Sequence, residues 1–266
     1  MTWTQHWLGS ATRHPSSFGE PPPSSRLVHV DLGKVAALLA DDTHYRSQFE
    51  TSTSSGTLDT WRRAGWEADL FGNAYEDAPL GERCKYGVLN ATNDPRGVRA
   101  CKQYGSSYLQ LRGTRLRTTF SAEDSAAMSA EDLATVGLAG YAHVLEQYTD
   151  DELYATMKVG TRSVRGADSR ILGRYKEAQI HGSVSLMDNV EFIVADPSLK
   201  ESDAAISAVE LLSTVHCVPV LWMEEGAGLQ PGDEASVSRR RGGRRPQQGS
   251  PGVGCGADLR HPQSAR

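Results

Sequence analysis

The chain has 266 residues, a formal net charge of -5, 38% hydrophobic and 23% charged residues. That composition suits one soluble globular domain of moderate size with polar tails, or two small domains, and its acidic balance argues against a general nucleic-acid binder. No apolar run approaches the roughly 20 residues of a membrane span, no basic start followed by an apolar stretch marks a secretory signal, and Cys84, Cys101, Cys217 and Cys255 form no CxxC pair of the zinc-knuckle or thioredoxin kind. The expectation is a cytoplasmic protein with free thiols, no membrane contact and no metal; pairing of Cys84 with Cys101 is the oxidising alternative.

Residues 1–25 are rich in Ser, Pro and Gly and contain Pro21-Pro22-Pro23, a disordered leader by composition. Residues 226–266 read as a disordered Gly/Arg/Pro-rich tail, whose Arg239-Arg240-Arg241 and Arg244-Arg245 can touch RNA or an acidic surface, a solvated tail with no role of its own being the plainer reading. Between them, residues 26–225 are expected to form a single α+β domain. In chain order, Leu27 to Leu39 has apolar residues at helix spacing with Asp31 placed to cap. Trp61 to Phe71 is a second helix, with Trp66 and Leu70 four apart. Lys85 to Leu89 is a short strand, and an Asn-Asp-Pro turn precedes Arg96 to Tyr104. Ser106 to Leu111 and Thr114 to Phe120 read as strands joined at Arg112-Gly113 like a hairpin. Ser129 with Asp132, and Thr149 with Glu152, fit capping boxes and predict helices. A strand follows at Tyr175, Asn189 to Val194 is ambiguous, Ala204 to Leu212 is helical, and Val215 to Trp222 is a last strand. With no regular βαβ alternation, the fold class is a single mixed-sheet α+β domain with flanking helices.

The most pointed run is Tyr175-Lys176-Glu177-Ala178-Gln179-Ile180-His181-Gly182. Side chains alternate on a strand, so Tyr175, Glu177, Gln179 and His181 share one face while Ala178 and Ile180 pack on a core. A strand face bearing a carboxylate, an amide and an imidazole is the wall of a site; the plainer reading of Glu177 is a salt bridge on an exposed sheet face, with Arg46 or Arg117 as partner. A second cluster, Tyr45-Arg46-Ser47-Gln48-Phe49-Glu50-Thr51-Ser52-Thr53-Ser54-Ser55-Gly56, offers hydroxyl and backbone donors suited to a phosphate but lacks the Walker spacing. In a third, which runs on through Ser121 to Asp124-Ser125, Thr118-Thr119 can meet a ligand, with ordinary β-residues as the plainer reading, and Arg115 with Arg117 shares a strand face as a solvated pair or a simple anion clamp. His44, His143 and His216 have no metal-ligand spacing, and Gly-x-Ser-x-Gly is absent.

The segments Tyr45-Arg46-Ser47-Gln48-Phe49-Glu50-Thr51, Phe71-Gly72-Asn73-Ala74-Tyr75, Lys85-Tyr86-Gly87-Val88-Leu89-Asn90, Tyr104-Gly105-Ser106-Ser107-Tyr108-Leu109, Arg117-Thr118-Thr119-Phe120 and Glu177-Ala178-Gln179-Ile180-His181-Gly182 occur in this order and resemble the mostly bacterial family called domain of unknown function 3626, over roughly residues 43–222. That family name implies no activity. The loop departs from the pattern at Ser52 and Ser55. In residue order the chain also resembles ADP-ribosyltransferases, which carry an early-strand Arg or His, a Ser/Thr-rich strand and a late strand with a catalytic Glu. The resemblance implies NAD as co-substrate, with Arg46, Glu50, Thr118, Thr119 and Tyr175 on the dinucleotide and Glu177, Gln179 and His181 at the reacting end. The carboxylate would stabilise an oxocarbenium-like transition state; the usual Ser-Thr-Ser triplet and Glu-x-Glu pair are not reproduced. Partners on this reading are a small-molecule nucleotide and an acceptor, which can be a protein; the oligomeric state is left open. Two alternatives stand beside it: a non-catalytic module binding a protein or a phosphate, and a phosphoester or nucleotide hydrolase with His181 as general base.

Overall fold

The computed structural model describes residues 25–52, 59–135, 145–161, 169–172 and 174–223. The Thr53-Ser54-Ser55-Gly56 stretch, His143, both tails and their arginines lie outside the described residues.

Among the described residues eight strands form one sheet, ordered β5-β4-β6-β2-β1-β3-β7-β8. They are β1 Ser25–Val30, β2 Lys85–Asn90, β3 Ser107–Leu111, β4 Thr118–Ser121, β5 Ala134–Thr135, β6 Lys176–Ile180, β7 Val190–Ala195 and β8 Val220–Trp222. Neighbours run antiparallel except β7 and β8. The helices are α1 Leu32–Asp41, α2 Gln48–Thr51, α3 Thr60–Phe71, α4 Asp150–Gly160, α5 Leu186–Asn189 and α6 Asp203–His216. This is the expected α+β class.

Several elements differ from the sequence reading for physical reasons. Leu27 to Val30 is a strand because it runs through the middle of the sheet, where both faces are buried and the alternation that marks a strand disappears. The supposed hairpin does not form. β3 pairs with β1 and β7, β4 pairs with β5 and β6, and a 3-10 turn over Arg115–Arg117 separates them, so these two arginines do not share a strand face. The Ser129/Asp132 capping box starts a single 3-10 turn, because β5 follows at once, whereas Thr149/Glu152 starts the full α4 helix. The last strand shortens to Val220–Trp222, since α6 runs on to His216.

One face of the sheet carries Val28, Leu109, Phe120, Ala178, Ile180 and Ile193, covered by Leu32, Ala36 and Leu39 of α1 and Val209 and Leu212 of α6. His216 ties the end of α6 to the Leu39 carbonyl at 2.8 Å. The opposite face packs Leu27, Val88, Val98, Cys101, Tyr108 and Val194 in its apolar half. Cys84 and Cys101 are buried free thiols.

The sheet parts at its centre. β1 pairs with β2 only at Ser25↔Asn90, Arg26↔Leu89 and Leu27↔Val88; beyond Leu27, β1 stays with β3, and before Val88, β2 stays with β6. Close to the parting, a Cβ on Gly87 would lie 2.5 Å from the Leu27 carbonyl oxygen. Backbone cannot yield as a side-chain tip does, so Gly87→Ala should destabilise the fold by about 3 kcal/mol. The midpoint of a urea unfolding curve reads this; an unchanged midpoint would contradict so close an approach.

Candidate functional site

The polar half of the second face lies on β6 and β4. Thr119 stands opposite Gln179 and Ser121 opposite Glu177. On the other side of β6, Tyr86 of β2 stands opposite Gln179. Residues directly opposite share a face, so Glu177, Gln179, Thr119, Ser121 and Tyr86 look the same way, and His181 continues their row past the end of β6. Ala178 and Ile180 are fully buried in the other core, so the alternation expected of this strand holds.

The hydrogen bonds along this face run in one direction. Gln179 donates from Nε2 to Ser121 Oγ (2.9 Å) and to Glu177 Oε1 (3.0 Å). Its Oε1 therefore accepts, from the Thr119 hydroxyl at 3.0 Å. With that proton used, Thr119 offers His181 a lone pair, 3.0 Å from Nε2. The Nε2–H tautomer follows, and Nδ1 accepts from the Tyr75 hydroxyl at 2.5 Å. Ser125 adds a second donor to Glu177 Oε1, and Ser121 donates to the Glu123 carbonyl. From Tyr75 to Glu177 the donors all point at the carboxylate.

Glu177 is 7% exposed. Burial pushes its carboxyl above the ordinary glutamate value, and the bonds from Ser125 and Gln179 pull it partly back. It is thus not a salt bridge on an exposed sheet face, and neither Arg46 nor Arg117 pairs with it. Arg117 donates to the His181 carbonyl and, at 3.0 Å, to Asn189 Oδ1. Burial first, and Arg117 second, lower His181 to about 4. Both ring nitrogens are committed, and the ring is neutral at pH 7, which suits a positioning group better than a general base.

His181 makes stability depend on pH. Its folded value lies below its unfolded value, so the contribution is whole above pH 6.5. It is lost as pH falls toward 4, where the unfolded chain takes up a proton that the folded chain refuses. The loss should reach at most about 3 kcal/mol. Urea unfolding of wild type and His181→Gln at pH 7 and pH 4.5 tests this, because the difference removes the opposite trend of Glu177. The variant should lose less stability on acidification; parallel losses would contradict the assignment.

A roof of α3 and the turn after it covers this face. Phe71 meets His181 edge-on with ring centroids 4.9 Å apart, and Tyr75 stacks against the same imidazole at 6.0 Å. Glu67, buried, takes Arg83 at 2.7 Å and the Tyr86 hydroxyl at 3.2 Å. Asp59 caps the start of α3 by accepting from the Trp61 and Arg62 amides.

The other sequence candidates lie elsewhere. Thr118 points to the opposite face, where its hydroxyl bonds the Thr114 carbonyl at 2.7 Å. Arg46 is on no strand; Asp42 takes its guanidinium through Nε and Nη2 at 2.7–2.8 Å, and none of its bonds reaches β6. Glu50 closes the Ser47 capping box and accepts from His44 at 2.8 Å; burial works against its charge, yet the bonds from His44 and Ser47 hold it below its ordinary value. Tyr175 stands at the start of β6 and donates to Asp124 at 2.9 Å. Sequence reasoning assigned no site role to Tyr75, Ser121 and Ser125. Tyr75 arrives through the roof, which only the fold brings over β6. Ser125 was visible only as Asp124-Ser125 after a strand end. The histidine that does lie on an early strand, His29 of β1, is tied off by the Gly105 carbonyl and the Val98 amide.

The family model described as "Protein of unknown function (DUF3626)" matches residues 25–167 and 141–249. The chain belongs to this family. The match reaches beyond residue 225, into the stretch read from composition as tail. No curated protein matches the chain. Four of the six segments that carried the family resemblance meet at this site, through Phe71 and Tyr75, Tyr86, Arg117 and Thr119, and Glu177, Gln179 and His181.

Proposed function

We propose that the protein is an ADP-ribosyltransferase that takes NAD as co-substrate and uses Glu177 as its catalytic carboxylate. One observation carries this reading: Glu177 is held in a set orientation on β6, one residue pair from the Thr119 hydroxyl on β4, with Gln179 bridging the two. A hydroxyl strand beside a glutamate strand is the arrangement that the residue order implied. In the reaction the ribose–nicotinamide bond breaks and nicotinamide leaves with the electron pair. Positive charge grows on the ribose, and the acceptor's nucleophile bonds to C1′ and gives up its proton. A carboxylate fixed beforehand by Ser125 and Gln179 on a buried face stabilises that charge without reorganising. Phe71, Tyr75 and Tyr86 around the polar face suit the flat rings of a dinucleotide. The anchoring role expected of Arg46 is not retained, because Asp42 already engages its guanidinium.

The test is release of nicotinamide from NAD by the full chain, with water as the default acceptor, followed by proton NMR. Catalytic release is expected. No release, together with no NAD binding by calorimetry, would overturn the proposal.

A further inference from the structure

Arg63 is a cation of the roof that the site described above leaves unused. It stands on α3 with its guanidinium carbon 4.4 Å from the centre of the Tyr86 ring and 5.3 Å from that of Trp66. Tyr86 is directly opposite Gln179 on the neighbouring strand, and adjacent strands lie about 4.8 Å apart. The charge thus rests on the side chain that neighbours Gln179 across the strand pair, on the face that also carries Glu177. Glu177 feels it, as do Glu67 and Tyr86.

Its chemistry is unfinished. Nε of Arg63 is buried and makes no hydrogen bond. Contact with aromatic rings uses the charge but none of the five N–H donors. The nearby acid that could satisfy it, Glu67, is engaged by Arg83 and by the Tyr86 hydroxyl. A buried donor without an acceptor is unfavourable in the free protein and favours whatever brings one. The unpartnered Nε calls for an acceptor, and the charge beside it favours an anionic one. A diphosphate attached to a sugar has those properties, and Arg is the side chain whose planar fork matches phosphate oxygens.

We infer that Arg63 binds the diphosphate of the nucleotide whose ribose lies at Glu177, the role that residue order had suggested for Arg46. The inference rests on the nucleotide reading above and adds to it the residue that selects a phosphorylated ligand.

The test is titration calorimetry of the full chain with ADP-ribose and with adenosine, on wild type, Arg63→Gln and Arg63→Lys. Arg63→Gln should weaken ADP-ribose at least tenfold and leave adenosine within twofold. Wild-type affinity for ADP-ribose should fall as salt is raised, and that dependence should be shallower in the glutamine variant. If Arg63→Gln does not fold, Arg63→Lys decides: it keeps the charge and loses the fork, and at least a threefold loss for ADP-ribose is expected. Unchanged affinity for ADP-ribose in either variant, or an equal loss for adenosine, would overturn the assignment while leaving the proposed activity standing. Wild type that binds neither ADP-ribose nor NAD would overturn both.

Discussion

Glu177→Gln should slow nicotinamide release from NAD by about a hundredfold to a thousandfold, the range seen when a fixed electrostatic stabiliser is removed from a transition state. The substitution is nearly isosteric. A glutamine oxygen in the place of Oε1 still accepts from Ser125 and from Gln179, so the orientation of the chain from Tyr75 to Glu177 survives. What disappears is the charge. Burial raises the Glu177 carboxyl above its ordinary value, so neutralising it should leave the melting temperature unchanged or higher at pH 7. Loss of turnover with preserved stability is therefore the expected pair of results, from steady-state kinetics and a thermal melt of the same preparation. Equal turnover in both proteins would remove Glu177 from the chemistry. Turnover lost together with a large drop in melting temperature would make it a structural residue.

Lys176→Met should cost about 3–5 kcal/mol, the largest stability effect predicted for the chain. Lys176 sits on the β6 face opposite to Glu177 and meets Glu152 of α4 at 2.9 Å, both side chains 5% exposed. Lys176 also donates to the Ala122 carbonyl at 3.2 Å, and its ammonium lies over the Tyr148 ring. Glu152 accepts from the Thr149 amide at 2.8 Å in the capping box. Removing the lysine leaves a carboxylate buried without its cation, and that penalty exceeds the net worth of the pair. Lys176→Met with Glu152→Gln should recover more than half of the loss, because the capping acceptor remains and the unpaired charge does not. Urea unfolding of the four proteins gives the coupling directly. Additive losses would mean that the two groups do not share one buried site.

The run from Tyr175 to Gly182 declared itself because its alternation is complete within eight residues and needs no distant partner to be recognised. α3 and α4 were legible for the same reason, α3 through helix spacing and α4 through a capping box, both close in sequence. β1 was not, because a strand covered on both faces gives no periodic signal. The supposed Arg112-Gly113 hairpin failed because strand partnership is decided across the sheet, where β1, β2 and β6 lie between β3 and β4, and not by the residues of a turn. The site was half visible. Its floor comes from alternation, and its order toward Glu177 from Gln179 and Thr119 meeting across two strands. Its roof of Arg63, Phe71 and Tyr75 belongs to segments whose place over β6 is a product of packing. Arg46 misled because sequence order cannot tell that Asp42, four residues earlier, has already taken its charge.

Hydrogen exchange of the 266-residue chain carrying Glu177→Gln, with and without saturating NAD, tests the central claim most directly. A nucleotide held on the polar face should slow exchange in residues 60–71 of α3, in 118–121 of β4 and in 176–181, while α6 on the far side of the sheet stays unchanged. Protection confined to α6, or no protection at β6 under conditions where NAD binds, would contradict the account.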